Sequence, residues 1–341
     1  MKLPFKQELL ESDFYKTLVE EHKIVINNST FSAIDDCFAK GLMQGLLAYR
    51  AKQSPIHLVF GSLVHKGLEL MFRDNLPLVD IINEVKADPE YSELANIEEK
   101  NKTCEKLIEA LTQCFVDRKT ELFFEPLFFE ERDESLTEES FLVKLGTVDW
   151  NVKPTVSMNV DIYWRGKIDL IAYYQDEVWI LDNKTTSQMG PTFRYNFERD
   201  NQLISYIVGI RKLLSQTDSF RVKTKNGRSF DLTKRLPVGA IVYGICPLTK
   251  EVKTQTFPIK FTVAQLAEWE EETLGQLENL LNNDLNRFLY NEVVLPKRTS
   301  CNHKYGKCPF FDLCDMPVNN RLTMLKSGFY EKYKLFEHYE K

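Results

Sequence analysis

Two aspartates and a lysine stand on consecutive predicted strands, at a spacing that can hold a metal ion. Asp169 lies in the segment RGKIDLIAYY, and Asp182 and Lys184 follow thirteen and fifteen residues later in VWILDNKTTS. A strand, a tight turn at 175–176 and a second antiparallel strand of this length bring the two carboxylates side by side across the ladder. Adjacent carboxylates repel each other and favour a hard divalent cation such as Mg²⁺, which keeps water and phosphate oxygens among its ligands.

The residues after Asp182 add to this chemistry because side chains alternate along a strand. Asn183 points its side chain to the other face but can offer its carbonyl to the same cation, and Lys184 returns to the face of Asp182. An ammonium group there can orient a metal-bound water and stabilise charge that grows on a phosphorus centre. The alternative is a structural ion pair of Asp169, Asp182 and Lys184 at a strand end, because the tripeptide D-x-K is common.

These residues need a sheet to position them, and the pattern of the chain predicts one. The segments SMNVDIYW, KIDLIAYY and VWILDNK are predicted as three short strands, with turns at 165–166 and 175–176. Further strands are predicted at 121–131, 141–148, 238–246 and 252–259, and helices at 29–53, 60–73, about 95–120, about 200–214 and about 263–290. The stretch at 125–139, with seven acids and one arginine, is predicted to be a solvated loop. This order predicts an α/β fold with a mixed central sheet flanked by helices.

Length and composition exclude several classes of protein. The chain has 341 residues, 43% of them hydrophobic and 28% charged, which excludes a disordered or fibrous chain. Its net charge is −6, so any binding of nucleic acid must rely on a local basic patch. No apolar run reaches the ~18–20 residues needed to span a bilayer, and the first residues lack the apolar core of a secretion signal. We therefore expect a cytoplasmic protein.

The segment GKIDLIAYYQDEVWILDNKTTS resembles the catalytic core of the PD-(D/E)XK nuclease superfamily, specifically its RecB-like branch, which includes Cas4 proteins and related phage exonucleases. The matching positions are Gly166, Asp169, Asp182, Lys184 and Thr185. The resemblance implies a restriction-endonuclease-like core. It also implies that Asp169, Asp182 and the carbonyl of Asn183 hold Mg²⁺ or Mn²⁺, and that Lys184 polarises the attacking water.

Two more motifs of that branch occur in the expected order. GSLVH at 61–65 matches its upstream G-x-x-x-H, and QLISY at 202–206 matches its downstream Q-x-x-x-Y. The resemblance implies that His65 joins the metal site, and a histidine ligand makes Mn²⁺ activity a reasonable expectation. It also implies that Gln202 and Tyr206, which share a helix face at i and i+4, help to position DNA and Lys184. Taken alone, each of the three can equally be an ordinary polar residue on a partly apolar helix.

Seven cysteines in a chain without a secretion signal indicate metal binding or buried thiols more than disulfides. Cys301, Cys308 and Cys314 fall within CNHKYGKCPFFDLC, a spacing that suits thiolates converging on one centre. Iron–sulfur members of the RecB-like branch have one cysteine before G-x-x-x-H and three near the C terminus, a layout that Cys37 completes here. The resemblance implies a [4Fe–4S] cluster that joins the N- and C-terminal segments. The gap between Cys301 and Cys308 is longer than the C-x2-C of many relatives. Structural zinc is the alternative, although it prefers two close cysteine pairs, and His303 could replace a cysteine.

Two basic stretches offer a place for DNA despite the acidic total. Residues 211–235 carry eight basic residues against two aspartates, and a second group beside the cysteines comprises Lys297, Arg298, Lys304 and Lys307. These charges can contact phosphates with salt-dependent affinity, and Phe220, Phe230 and Tyr305 can stack the bases of a single strand. A solvated hairpin is equally compatible with the first stretch.

The predicted function is a metal-dependent DNA nuclease, most like an exonuclease that acts on single strands or duplex ends and leaves a 5′-phosphate and a 3′-hydroxyl. The alternative is a catalytically weak, nuclease-derived DNA-binding or scaffold subunit of a recombination, repair or CRISPR-adaptation complex. We predict one elaborated nuclease domain over 1–341, with a helical part at 29–120, the PD-(D/E)XK core at 121–290 and a cysteine-rich segment at 291–341. The resemblance implies the cytosol of a bacterium, an archaeon or a phage-infected host. Protein partners and a homo-oligomer are left open.

Overall fold

A computed structural model describes residues 1–52, 55–97, 99, 101–120, 123–132, 134–153, 155–190, 192–295, 297–303 and 306–334. The chain forms two compact units. The first unit comprises Met1–Gln53, Leu142–Gly166 and Ala267–Lys341, and the second unit comprises Ser54–Phe141 and Lys167–Leu266. These boundaries differ from the three parts expected from the sequence, and the single nuclease domain stays a prediction.

The helices are α1 (Lys6–Leu10), α2 (Asp13–Glu20), α3 (Asn28–Asp36), α4 (Phe38–Gly41), α5 (Ile56–Arg73), α6 (Leu78–Lys86), α7 (Pro89–Ala95), α8 (Cys104–Thr120), α9 (Asn201–Ser215), α10 (Val263–Asn279), α11 (Asn286–Asn291), α12 (Phe311–Asp315) and α13 (Val318–Lys326). Short 3₁₀ turns lie at Arg194–Phe197, Leu232–Lys234 and Arg298–Cys301, and π-helical segments lie at Leu42–Leu46 and Leu280–Leu285. Within the described ranges, no helix combines the length and the apolar character that crossing a membrane requires.

The strands are β1 (Lys23–Ile26), β2 (Tyr49–Ala51), β3 (Glu125–Phe129), β4 (Thr137–Lys153), β5 (Val156–Tyr174), β6 (Glu177–Thr185), β7 (Arg221–Thr224), β8 (Ser229–Asp231), β9 (Gly239–Pro247), β10 (Val252–Lys260), β11 (Asn302–His303), β12 (Gly306–Lys307) and β13 (Tyr330–Lys332). The predicted strands at 238–246 and 252–259 are confirmed by β9 and β10, and the predicted helices at 60–73 and 200–214 by α5 and α9.

The sheet of the second unit has β6 and β9 near its middle. The strand order is β10-β9-β6-β5-β3-β7-β8. β6 and β9 are parallel, with Asp182 level with Val242, whereas the other described neighbours along this path are antiparallel. Every residue of β9 is buried, as expected of a central strand covered on both faces. The predicted mixed sheet flanked by helices is confirmed.

Helices cover both faces of this sheet. The helices α5 to α8 share one hydrophobic core with Leu181, Ile241 and Tyr243. Lys184 is three residues beyond Leu181 on the same strand, so its side chain points to the opposite face. There it reaches Gln202 of α9. The polar side chains at the end of β6 are therefore held between the strand and two different helices.

The strands β5 and β6 form the predicted hairpin. Leu170 pairs with Leu181 across it, and the turn residues Gln175 and Asp176 have φ angles of 49° and 62°. Positive φ at both central positions is what a two-residue turn between twisted strands requires. The predicted turn at 165–166 is wrong, because burial alternates without a break along β5 through Gly166 and the strand continues to the hairpin turn.

Three other predictions differ from the structure. The predicted helix at 29–53 is interrupted at Cys37, which is extended with φ −167° and ψ 121°, and it gives way to β2. The predicted helix at 95–120 begins only at Cys104. The predicted acidic loop at 125–139 contains β3 and the start of β4, because Leu127 and Leu136 are fully buried and anchor the chain between the acids.

The first unit has its own sheet contacts and core. β1 runs parallel to β5, with Lys23 level with Asp161. Trp164 of β5 packs edge-on against Trp269 and Phe31, with ring centroids 5.1 Å and 5.5 Å away. Aromatic burial thus ties segments from the start, the middle and the end of the chain together in one core.

Candidate active site

The end of β6 carries polar side chains out of the core. Asp182 and Asn183 are only 1% and 3% exposed. Lys184 Nζ lies 2.9 Å and 2.8 Å from the two carboxylate oxygens of Asp182, as the two-residue strand period requires. Asp182 Oδ2 is ion-paired with Lys184 and accepts no hydrogen bond from any other described residue. A carboxylate oxygen has two lone pairs, so the one that does not face Lys184 is open to a further ligand.

The hairpin register sets Asp169 beside Asp182, since the next pair along the ladder is Leu170 with Leu181. The backbone N–H of Asn183 donates to Asp169 Oδ2 at 2.7 Å. This hydrogen bond fixes the orientation of a carboxylate that stands at the strand edge. The two aspartates predicted from the sequence are therefore brought together.

The helix α5 brings His65 to the strands. His65 Nδ1 is 3.5 Å from Asp169 Oδ2. One turn earlier, Gly61 lies against Thr185, and a Cβ at position 61 would be 3.1 Å from Thr185 Oγ1. Glycine therefore permits the close approach of helix to strand, and the histidine one turn later lies on the same helix face. This gives the G-x-x-x-H spacing a physical basis.

A glutamate that the sequence analysis missed completes this group. Ligand atoms of His65, Glu138 and Asp169 all lie within 4.8 Å of one another, the one such trio of histidine, cysteine or acidic residues in the described ranges. Glu138 has a φ of 60°, a left-handed conformation that is strained for a residue other than glycine. Such strain concentrates at functional sites. Nothing in its spacing distinguishes Glu138 from the other acids around it, which is why a pattern search passes over it.

The electrostatics of the site are dominated by buried negative charge. Burial works against protonation of His65, but the carboxylate of Asp169 outweighs it and raises the pKa of His65. Burial likewise works against ionisation of Asp169, but the charge and hydrogen bond of His65 lower its pKa. Burial raises the pKa of Asp182 to about 6, although Lys184 offsets part of the effect. Burial and the charge of Asp169 raise the pKa of Glu138. Each carboxylate of this group has a cationic or ionisable partner, which is Lys184 for Asp182, His65 for Asp169 and Lys167 for Glu138.

The helix α9 holds Lys184 from the other side. Lys184 Nζ donates to Gln202 Oε1 at 2.8 Å, and Gln202 Nε2 donates to Tyr206 Oη at 2.8 Å. Asp200 caps the helix by accepting from the N–H of Leu203 at 3.0 Å. Two residues that were chosen by resemblance therefore form one relay that fixes the position of the ammonium group.

The comparisons with known proteins agree with this geometry. A family model of the PD-(D/E)XK nuclease superfamily matches residues 27–315. The chain belongs to this superfamily. Among solved structures, the nuclease is similar to a protein from Eubacterium rectale named as a candidate exonuclease, with 13% identity, a TM-score of 0.44, and coverage of 91% of this chain and 96% of that chain. It is also similar to a protein named SSO0001, with 14% identity, a TM-score of 0.20, and coverage of 64% of this chain and 86% of that chain. Identities and TM-scores this low do not establish a shared function. No curated protein matches it.

The four cysteines predicted to bind a cluster all belong to the first unit of the nuclease. Cys37 joins α3 to α4, and the backbone N–H of Cys308 donates to the carbonyl of Cys301 at 2.9 Å. Burial raises the pKa of Cys314 to about 12, and the charges of Cys308, Cys37 and Cys301 add to the shift. The geometry therefore brings Cys301 and Cys308 together and leaves a shared centre of all four thiols as a proposal. Within the described ranges, no three of them lie within 4.8 Å of one another.

The first basic stretch covers the end of α9, the hairpin β7–β8 and the turn after it, and two of its arginines form ion pairs. Arg221 lies 2.7 Å from Glu130, and Arg228 lies 2.6 Å from Asp176. These ion pairs are exposed, so they are weak and a phosphate can compete for the arginines. They do, however, reduce the positive field that the sequence alone indicates.

The three aromatic residues predicted to stack bases differ in their exposure and packing. Phe230 is only 8% exposed, so the prediction that it stacks bases is wrong because its ring belongs to the core. Phe220 packs on Phe129, with ring centroids 5.7 Å apart. Lys304 and Tyr305 of the second basic group lie outside the described residues.

We expect Glu138→Gln to weaken the binding of Mn²⁺ to the metal-free protein at least about ten-fold, because it removes one negative charge from the group of His65, Glu138 and Asp169. Isothermal titration calorimetry measures this directly. The matched control is Glu139→Gln, the same substitution one residue along the strand and outside the group, and it should bind like the wild type. Unchanged Mn²⁺ affinity in Glu138→Gln would exclude this glutamate from the metal site.

Proposed function

We propose that this chain is a metal-dependent deoxyribonuclease of the RecB-like kind that hydrolyses phosphodiester bonds with a metal-activated water. The observation that carries the proposal is the convergence of carboxylates and an imidazole at the end of one hairpin, where Asp169 stands beside Asp182 and ligand atoms of His65, Glu138 and Asp169 lie within 4.8 Å of one another. Oxygen and imidazole ligands of this kind suit Mg²⁺ or Mn²⁺. Superfamily membership supports the same chemistry.

The chain's own residues supply the metal ligands in this proposal. Asp169, Asp182 and the carbonyl of Asn183 hold the ion, His65 assists, and Glu138 is added from the structure. When bound, such an ion polarises a phosphoryl oxygen and lowers the pKa of a bound water. The hydrogen bond from the N–H of Asn183 keeps the Asp169 carboxylate in one orientation, so the ligand set is largely preorganised.

Lys184 stabilises the negative charge that develops on the phosphorus centre in this proposal. It stays protonated, because burial lowers its pKa less than Asp182 and Asp169, with a smaller contribution from Asp200, raise it. The hydrogen bond to Gln202 restrains the rotation of the Lys184 side chain, and the hydrogen bond to Tyr206 restrains Gln202. We therefore assign Gln202 and Tyr206 to positioning and Lys184 to catalysis. Cleavage would leave a 5′-phosphate and a 3′-hydroxyl, as the resemblance implies.

Lys184→Ala and Asp182→Ala should each reduce Mn²⁺-dependent cleavage of end-labelled single-stranded DNA at least about a hundred-fold, the usual effect of removing one preorganised charge-stabilising group. EDTA should abolish cleavage by the wild type. The control is Asp161→Ala, on the same hairpin but in an exposed ion pair with Lys144, which should cut like the wild type. If wild type and Asp182→Ala are equally inactive and both bind DNA, the chain is a nuclease-derived binding subunit instead. The label positions also separate exonuclease from endonuclease products.

We also propose that Cys37, Cys301, Cys308 and Cys314 bind a [4Fe–4S] cluster. All four cysteines belong to the first unit, and Cys308 donates a backbone hydrogen bond to Cys301, which supports a shared centre. Structural zinc prefers two close cysteine pairs. One distant cysteine with three clustered ones fits that pattern less well and favours the iron–sulfur centre that the resemblance implies.

Hydrogen bonds already hold the two cysteine-bearing segments together. Ser300 Oγ donates to the carbonyl of Asp36 at 2.7 Å, and Lys297 Nζ donates to that of Asp35 at 3.1 Å. A cluster joining Cys37 to the C-terminal cysteines closes a very long loop, which is worth on the order of a few kcal/mol by loop-entropy arguments. We therefore assign it a structural role.

Protein purified without oxygen should be brown and contain iron and acid-labile sulfide, and Cys308→Ser should lose both. Cys104→Ser is the control, because this thiol lies in the second unit, apart from the four, and it should keep the iron. Stoichiometric zinc without sulfide in the wild type would contradict the cluster. An unchanged melting temperature after loss of the cluster would contradict its structural role.

A further inference from the structure

The segment between β6 and α9 connects the two elements that hold Lys184. It contains the 3₁₀ turn Arg194–Phe197 and ends at Asp200, the residue that caps α9. Phe193 and Phe197 of this segment are buried and pack on Phe257, with ring centroids 5.8 Å and 6.0 Å away. Two aromatic anchors therefore fix the turn, and the residues between them are held at the surface in a defined geometry.

A groove of about 360 Å³ lies beside this turn. Its lining comprises Arg194, Glu198, Arg199, Ile259, Lys260 and Gln265. Lys260 is paired with Glu177 at 2.6 Å. Within the described ranges, neither Arg194 nor Arg199 has an ion-pair partner within 4.0 Å, so both guanidinium groups are available. A groove with three cations and one carboxylate suits a phosphate group, which guanidinium recognises through paired hydrogen bonds.

Other lining residues make the groove a place for hydrogen-bond acceptors. The oxygen of the Gln265 amide accepts from the N–H and hydroxyl of Thr262 at 2.8 Å and 3.0 Å. The amide nitrogen of Gln265 can therefore donate a hydrogen bond to a ligand in the groove. Arg194 lies over the ring of Phe257, 6.0 Å from its centroid, which holds the guanidinium without neutralising it.

An exposed tyrosine stands on the same turn. Tyr195 is 67% exposed, although the aromatic residues on either side of it in the turn are buried. Its backbone N–H donates to the carbonyl of Thr192 at 3.1 Å, so its main chain is fixed while its ring faces solvent. Tyr195 is adjacent in sequence to Arg194 of the groove, and an exposed aromatic ring on a fixed main chain is suited to stacking an unpaired base.

The sheet register gives the separation between this groove and the active site. Ile259 of the groove is level with Ala240, which is level with Ile180 on β6. Ile180 precedes Lys184 by four residues, or about 13 Å along a strand, and Ile259 lies two strands to the side, or about 10 Å, so the two positions are about 16 Å apart. At about 3.4 Å per stacked nucleotide, that distance corresponds to roughly five nucleotides. One strand can therefore occupy both places.

We infer that this groove grips single-stranded DNA a few nucleotides from the bond that is cut, with Arg194 and Arg199 on backbone phosphates and Tyr195 stacked on an unpaired base. The inference rests on the proposed nuclease function and names its substrate class. The phosphates of duplex DNA could contact the arginines, but its bases could not stack on Tyr195, because they are already stacked on each other.

The test measures the affinity of a fluorescent single-stranded oligonucleotide, and of the matching duplex, across a range of salt concentrations. Every variant carries Asp182→Asn so that no strand is cut. Arg199→Ala should reduce the slope of log affinity against log salt by about 0.7 for the single strand, the loss of one phosphate contact. Tyr195→Ala should weaken the affinity for the single strand roughly five-fold to a hundred-fold and leave the affinity for the duplex unchanged. Tyr195→Phe, which keeps the ring, should bind the single strand like the protein with Tyr195.

Arg132→Ala is the control for charge, since Arg132 is an exposed arginine of the same unit outside the groove, and its slope should equal that of the parent. An unchanged salt slope in Arg199→Ala overturns the inference, and so does an equal loss of affinity for single strand and duplex in Tyr195→Ala. In either case, DNA binding by the protein that carries Asp182→Asn alone leaves the nuclease proposal standing. If the parent binds neither oligonucleotide, the nuclease proposal itself fails and the groove fails with it.

Discussion

Negative charge confined at the end of one hairpin is the constraint on which this site depends. Asp169 and Asp182 stand side by side in a water-poor environment, and Glu138 approaches the first of them. Lys184 and His65 are the positive or potentially positive groups in direct contact with the two aspartates. Burying carboxylates is costly, and Lys184, His65 and Lys167 offset part of that cost. The divalent ion of our proposal would add to this compensation.

The fold provides this arrangement with few local devices. A buried parallel pair, β6 with β9, carries Asp182 to the sheet end, and a two-residue turn sets the register that places Asp169 next to it. Gly61 lets α5 approach the strand so that a histidine one turn later meets the aspartates. On the opposite face, α9 holds the ammonium group of Lys184 through Gln202. The same connection that leads into α9 carries Arg194 and Arg199 of the groove, so the proposed DNA-binding groove and the proposed catalytic lysine depend on one short segment of chain.

The sequence allowed prediction of those parts of the site that follow from strand geometry. The period of two places Lys184 with Asp182, and the length of the hairpin places Asp169 opposite. His65, Gln202 and Tyr206 were selected only through a resemblance, because a polar residue on an apolar helix face has no distinctive pattern. Glu138 was missed because its role depends on a strained backbone and on tertiary approach, and neither leaves a local signal. The predicted turn at 165–166 was wrong for a related reason: the Arg-Gly pair favours a turn locally, but continuous alternate burial kept the strand extended.

The measurement that tests the central claim most directly is the free energy of unfolding of the wild type, by urea denaturation, across a titration of Mn²⁺. If the folded protein binds Mn²⁺ at these carboxylates, stability should rise with Mn²⁺ and reach a gain of about 2.7 kcal/mol when the free ion is a hundred times its dissociation constant. Asp169→Asn should show little or no such gain. A wild type that unfolds at the same urea concentration with saturating Mn²⁺ as with EDTA would contradict the account.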